Sequence, residues 1–243
     1  MQKTLFVKFL SCWSAGSGLG NGYISDSMVF RGSNGLPEVS GRALKGALRE
    51  GAKRLSACAE RADLFEMEKA LFGSDPGTLR RDEASGLTVI GGMPNKYGRI
   101  RVSPAVIPQE VQDMLPGEGM ARDQVISDLF CYRQNTAIRH DNHQVQKGSL
   151  RNTECGIPGI VLEAEVDIEE SGLVQAISES FNGWLDDYLG AVAAAVKSIG
   201  ADRARGLGRC KLSFGLSGGD RKARLPENIS GAKLEAMIAK LED

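Results

Sequence analysis

Residues 159–168 alternate without a slip, putting Ile160, Leu162, Ala164, Val166 and Ile168 on one side. A period of two fits an extended strand that buries one face and wets the other. Residues 4–10 alternate in the same way and are rich in β-formers, so they are read as a first strand. Ser40 is suited to cap a helix running to about residue 59. In that helix Leu44, Ala47, Leu48, Ala52 and Leu55 share one face, while Arg42, Lys45, Arg49 and Lys53 form a separate stripe. Residues 64–72 continue as helix until the break at 73–77. Residues 181–199 give the strongest helical stripe, from Phe181 and Trp184 through Tyr188 and Val192 to Val196 and Ile199. Residues 23–31, 99–106 and 210–216 read as extended, 108–127 as irregular and exposed, and 233–241 as an amphipathic tail helix. The order strand, helix, strands, helix, strand predicts an α+β, ferredoxin-like core with helices on one sheet face. One domain over residues 1–243 is expected. Its core comes from about 1–72 and 159–216, with insertions at about 73–158 and a helical tail at 228–243.

Composition narrows the function classes. The 243 residues include 30 basic and 31 acidic side chains, a net charge of −1. A nucleic-acid binder of this charge must gather its cations on one surface. Five widely spaced cysteines contain no Cys-x-x-Cys, which excludes a zinc ribbon or thioredoxin motif and fits reduced, mostly buried thiols. Lys8 interrupts the apolar start, and no apolar stretch approaches the length of about 20 residues needed to span a bilayer. A cytoplasmic protein with no membrane partner is expected.

Three constellations carry chemistry. In residues 26–49 an apolar run ends at a turn, and a helix opens at Ser40 and Gly41 with Arg42, Lys45 and Arg49 along one side. Unpaired helix-start N–H groups beside fixed cations suit a phosphate chain, although such a stripe also describes a solvated helix face. In residues 202–209, Gly206 and Gly208 let a backbone come close, and Arg203, Arg205 and Arg209 can pair bidentately with phosphates. Glycine is equally a common exit from a helix. Residues 133–159 form a polar excursion with Arg139, Arg151 and Glu154. The only two histidines, His140 and His143, sit within it. Two are too few for a structural zinc site; they suit acid–base cleavage of RNA near neutral pH, or simply a hydrated loop. No Walker motif is present, and the glycines at 16–22 lack Gly-x-Gly-x-x-Gly spacing, so a nucleotide cofactor is not expected.

Gly35-Leu36-Pro37 with residues 40–49, Leu71-Phe72-Gly73 with residues 100–103, Ile138-Arg139 through Arg151 and Glu154 to Pro158-Gly159, and residues 205–209 fall in an order that resembles the RAMP superfamily of CRISPR-associated proteins. The spacing is most similar to backbone subunits of type III CRISPR effector complexes, over roughly residues 4–214. The resemblance implies a modified RNA-recognition-motif fold that polymerises along a guide RNA in antiviral defence. The helix start and glycine loop would contact guide backbone, and an inserted thumb hairpin would distort the duplex of guide and complementary target RNA. Other effector subunits, including copies or paralogues of this chain, are the implied protein partners. An acidic residue after the first strand cleaves target RNA with a divalent cation in several such subunits, and Asp26 stands at the matching place. Its carboxylate could hold Mg²⁺ against the scissile phosphate or position the 2′-hydroxyl, making it both catalytic residue and metal ligand; it could equally cap a turn. Ser40-Gly41-Arg42-Ala43 replaces the family's frequent Pro-Gly-Ser-Ser, which alters the donor geometry and adds a charge. Two alternatives stay open: a guide-processing endoribonuclease using His140 and His143, and a non-catalytic capping subunit.

Overall fold

The computed structural model describes residues 1–16, 18, 20, 25–59, 62–73, 79–81, 88–90, 98–169 and 185–215. The elements are β1 (Gln2–Phe9), α1 (Gly41–Ala59), α2 (Ala62–Phe72), β2 (Leu79–Arg81), β3 (Thr88–Ile90), β4 (Ile100–Val102), α3 (Gln109–Gln112), α4 (Met120–Asp128), β5 (Phe130–Asn135), β6 (Arg151–Gly156), β7 (Val161–Ile168), α5 (Leu185–Ala195) and β8 (Cys210–Gly215). The central sheet runs β4-β7-β1-β8, with every neighbouring pair antiparallel. Alternation explains its one-sided burial. Leu5 lies opposite Ala164 and Phe214, and Val7 opposite Leu162 and Leu212, so one face carries a continuous apolar layer. Helix α1 packs against β4, α2 and α5, and α5 also packs against β8. The path β1-α1-β4-β7-α5-β8 with this strand order is an α+β, ferredoxin-like core.

Sequence dictates how α1 sits. Leu44, Leu48, Ala52 and Leu55 are buried at helical spacing, and the Ser40 hydroxyl accepts the Ala43 N–H at 3.3 Å, capping the first turn. A β-carbon at Gly51 would press on the Val192 carbonyl oxygen, so glycine there lets α1 and α5 approach closely.

Several elements depart from the sequence reading. The last helix stops at Ala195, while residues 181–184 lie outside the described residues. Residues 196–199 run instead beside the start of β8: Ser198 bridges Arg209, and Cys210 donates to the Lys197 carbonyl at 3.1 Å. Val196 and Ile199 stay buried, which is why their spacing imitated another helical turn. Residues 108–127, read as irregular, hold α3 and most of α4. Neither buries a residue, so neither has an apolar stripe to reveal it. Residues 25–31 form isolated bridges rather than a strand. The polar excursion at 133–159 contains most of a two-stranded hairpin, β5 against β6, with Phe130 opposite Gly156 and Asn135 opposite Arg151. A second small hairpin pairs β2 with β3. The expected tail helix at 233–241 lies outside the described residues. Among those residues no helix is long and apolar enough to cross a membrane.

All five cysteines are free, but they are less uniformly buried than expected. Cys155 and Cys210 are buried, Cys12 and Cys131 half-buried, and Cys58 exposed. Burial pushes the thiols of Cys155 and Cys210 up to about 12. Cys131 is pushed to about 11 by burial, then by the hydrogen bond and charge of Cys12. A raised pKa keeps these groups as thiols at neutral pH, and the thiolate is the nucleophile. Iodoacetamide at pH 7 should therefore modify Cys58 first and leave Cys155 and Cys210 until the chain is unfolded, as read by peptide mass mapping. Equal rates at all five positions would mean that this core is open.

Candidate nucleic-acid interface

The first turns of α1, the loop after β1 and the turn before β8 enclose a cleft of about 350 Å³. Its floor is unusually small-sided: Ala15, Gly16, Ala43, Gly46, Ala47, Gly200 and Ala201 line it, with Phe30, Ser40, Glu50, Ile199 and Arg203 around them. Arg203 and Arg205 sit on a single 3-10 turn bounded by left-handed Asp202 and Gly206. Arg203 reaches across the cleft, and its Nη1 donates to Glu50 Oε2 at 2.7 Å. That hydrogen bond, with the charges of Arg203 and Arg54, holds the Glu50 carboxyl below its usual range against the opposing effect of burial. Arg205 is exposed and pairs loosely with Asp202 at 3.4 Å. The turn is laced to the loop after β1: Gly208 donates to the Cys12 carbonyl at 2.8 Å, and the exposed Arg209 donates its backbone N–H to Ser11 Oγ at 3.0 Å. Two motifs far apart in sequence, the helix start and the glycine loop, are thus neighbours.

The cation stripe of α1 is not part of that cleft. Lys45 donates to the Ile100 carbonyl at 2.8 Å, and burial, then Arg49 and Arg101, lower its pKa. Arg49 donates to Glu68 Oε1 at 3.3 Å and to the Gly73 carbonyl at 2.8 Å. Both side chains join α1 to β4 and α2, on the flank away from Arg203. Only Arg42 of the three is exposed, and it makes no ion pair among the described residues. Gly41 has a structural reason too, since a β-carbon there would run into the Val102 carbonyl oxygen. The structure thus brings Ser40 and Arg203 to one cleft and holds Lys45 and Arg49 in contacts outside its lining.

A second assembly lies at the root of the hairpin. Asp26 is exposed and exchanges hydrogen bonds with Asn152: its N–H donates to the Asn152 carbonyl, and its Oδ2 accepts the Asn152 N–H, each at 2.8 Å. The carboxylate therefore ties the segment to β6, 126 residues away, and does not cap a local turn. Its other carboxylate oxygen has no hydrogen-bond partner among the described residues. Two positions along β6, Glu154 is buried, with Oε1 accepting the Val29 N–H at 3.2 Å and Oε2 accepting from Arg31 Nη2 at 2.7 Å and the Tyr132 hydroxyl at 3.4 Å. The Arg31 guanidinium also lies 3.8 Å from the Phe130 ring centroid. Arg151 is exposed next to Asn152. Arg139, His140 and His143 are exposed at the hairpin tip, with His143 at φ 55°. No cluster of three metal-ligating side chains occurs among the described residues.

The model of the RAMP superfamily matches residues 6–211. The chain belongs to that superfamily. No curated protein is similar enough in sequence to count as a relative of this RAMP protein. Among solved structures it is similar to a chain of the type III-B Cmr-beta complex bound to cognate target RNA, with a TM-score of 0.59 at 12% identity over 88% of this chain and 97% of that one. A chain of the apo type III-B Cmr-beta complex gives 0.56 at 10% identity, over 88% and 97%. A chain of a type IV-B CRISPR complex gives 0.52 at 17% identity, over 93% and 96%. At these identities the likeness is one of fold. Two residues that line the candidate cleft, Phe30 and Glu50, were not singled out by the sequence, and only the meeting of α1 with two loops reveals them.

Replacing Glu154 with Leu would leave the Val29 N–H, Arg31 and the Tyr132 hydroxyl without their acceptor. Because Arg31 is partly solvated, the expected loss is about 2–3 kcal/mol. A shift of the urea midpoint, partly recovered in Glu154→Gln, checks it.

Proposed function

We propose that this chain is an RNA-binding backbone subunit of a type III CRISPR ribonucleoprotein, holding guide RNA along the cleft beside α1 and meeting target RNA at the hairpin. The observation that carries this reading is the convergence of helix start and glycine loop on one cleft lined mainly by small side chains, with Arg203 in its lining and Arg205 on the same turn. Small side chains let a ribose-phosphate strand lie close to the backbone, and guanidinium groups match phosphate oxygens in pairs. Recognition of this kind grips backbone and shape, leaving sequence choice to base pairing. The structural neighbours, chains of type III-B Cmr-beta and type IV-B CRISPR complexes, one of them bound to cognate target RNA, support the same reading. Ser40, Gly41, Gly206 and Gly208 would shape the groove, Arg209 would extend it, and Arg139 and Arg151 would meet RNA at the hairpin. Lys45 and Arg49 would contribute field rather than contact, since their donors are engaged within the chain.

Target cleavage is assigned to Asp26. Magnesium is commonly held by one or two carboxylates together with substrate phosphate and water, and a single exposed carboxylate with one oxygen uncommitted fits that pattern. The cation would supply charge neutralisation at the scissile phosphate. Asp26 would hold it there, fixed by the two hydrogen bonds to Asn152. The geometry favours Asp26 over the histidines, whose rings have no hydrogen-bond partner among the described residues to set their tautomers.

Two substitutions in the complex assembled with guide RNA test both halves. Asp26→Ala should abolish target cleavage at this subunit's position while RNA binding and folding persist; unaltered cutting acquits Asp26. Arg203→Ala with Arg205→Ala should weaken RNA binding irrespective of sequence and flatten the log–log salt slope by about 0.7 per lost phosphate contact. Unchanged affinity and slope would sink the RNA-binding reading.

A further inference from the structure

We propose that the cleft beside α1 is a subsite for one unstacked nucleotide, with the ring of Phe30 as the surface on which its base stacks. The inference rests on the RNA-binding reading above and narrows it to a place and a contact.

The volume of about 350 Å³ falls within the range of small-ligand sites, roughly 300–1,000 Å³. Phe30 borders it with 36% of its surface exposed. The ring stands on a fixed backbone: the Phe30 N–H donates to the Ala15 carbonyl at 2.8 Å, and its own carbonyl accepts the Glu38 N–H at 2.9 Å. An exposed aromatic on a pinned backbone is poor core material but a good platform, because every base has a π-face and stacking tolerates any sequence. Arg203 borders the same cleft, hydrogen-bonded to Glu50. It is 43% exposed and able to exchange that carboxylate for a phosphate.

Gly46 supplies an independent reason. It sits inside α1, where glycine is less favourable than alanine. The other glycines of that helix are accounted for by the chain itself, Gly41 by the Val102 carbonyl and Gly51 by the Val192 carbonyl. At Gly46 a β-carbon would meet nothing within 4 Å, and the space it would enter belongs to the cleft. Among the described residues nothing needs that position empty. A strand lying against the helix does.

The test uses the full chain, a single-stranded RNA carrying 4-thiouridine, binding by fluorescence anisotropy and melting by calorimetry. Gly46→Ala should raise the melting temperature by a few degrees, as the helix gains a better former, and at the same time weaken RNA binding. Phe30→Ala should weaken binding on the order of ten-fold, with Phe30→Trp close to the parent. Photo-crosslinks should map to the peptide containing Phe30. If Gly46→Ala and Phe30→Ala bind RNA like the parent while Arg203→Ala with Arg205→Ala does not, the subsite is wrong and the RNA-binding reading survives. If the arginine variant also binds like the parent, both fall.

Discussion

A carboxylate sealed from water at Glu154 holds together what the chain would otherwise leave loose. Burying such a charge is unfavourable by several kcal/mol unless its oxygens find donors. Here they find the Val29 N–H, the Arg31 guanidinium and the Tyr132 hydroxyl, drawn from the loop after β1 and from β5. The 25–31 segment is thereby tied alongside β6, where Ser27 bridges Thr153 and Asp26 pairs with Asn152. Strand β5 buries little of itself, with Phe130 its one buried residue. The polar anchor therefore works beside the buried end of β6, where Cys155 and Gly156 are buried and Gly156 bridges Trp13, in attaching the hairpin, while the bond from Asn152 holds the Asp26 carboxylate.

The core was legible because its residues answer to a period. β1, β7 and β8 each bury alternate residues and α1 buries a single stripe, so the layer assignment followed from spacing alone. The hairpin was not, because Arg133, Gln134 and Asn135 are polar on both faces of β5, and no alternation survives where neither face is buried. Helix α4 was hidden for the same reason. The false extension of α5 shows the opposite failure, since Val196 and Ile199 are buried by an extended segment at a spacing that also suits a helix.

The site was half legible, for an electrostatic reason. A sequence lists cations without their partners. Arg42, Lys45 and Arg49 look alike on a helical wheel, yet two of them are tied to carbonyls and to Glu68. Arg203, a candidate from the sequence, lines the cleft, and Arg205 stands on the same turn. Folding sorts thirty basic side chains into structural and available ones, and a net charge of −1 says nothing about that sorting.

Glu50 is the residue hardest to reconcile with an anion-binding surface, and exposure resolves it. Its pair with Arg203 joins side chains that are 40% and 43% exposed, where an ion pair contributes only about 0.2–1 kcal/mol. A bond that weak does not neutralise the site against a phosphate, whose charge-assisted pairing with guanidinium is stronger and bidentate. What it does is orient. Arg203 carries several rotatable bonds, and on the RNA-binding reading, holding it across the cleft beforehand would lower the entropy lost on binding. The turn itself is held by the Gly208 and Arg209 N–H bonds to the loop after β1, so on the RNA-binding reading Arg203 would be free to exchange Glu50 for a phosphate without loss of the groove's shape.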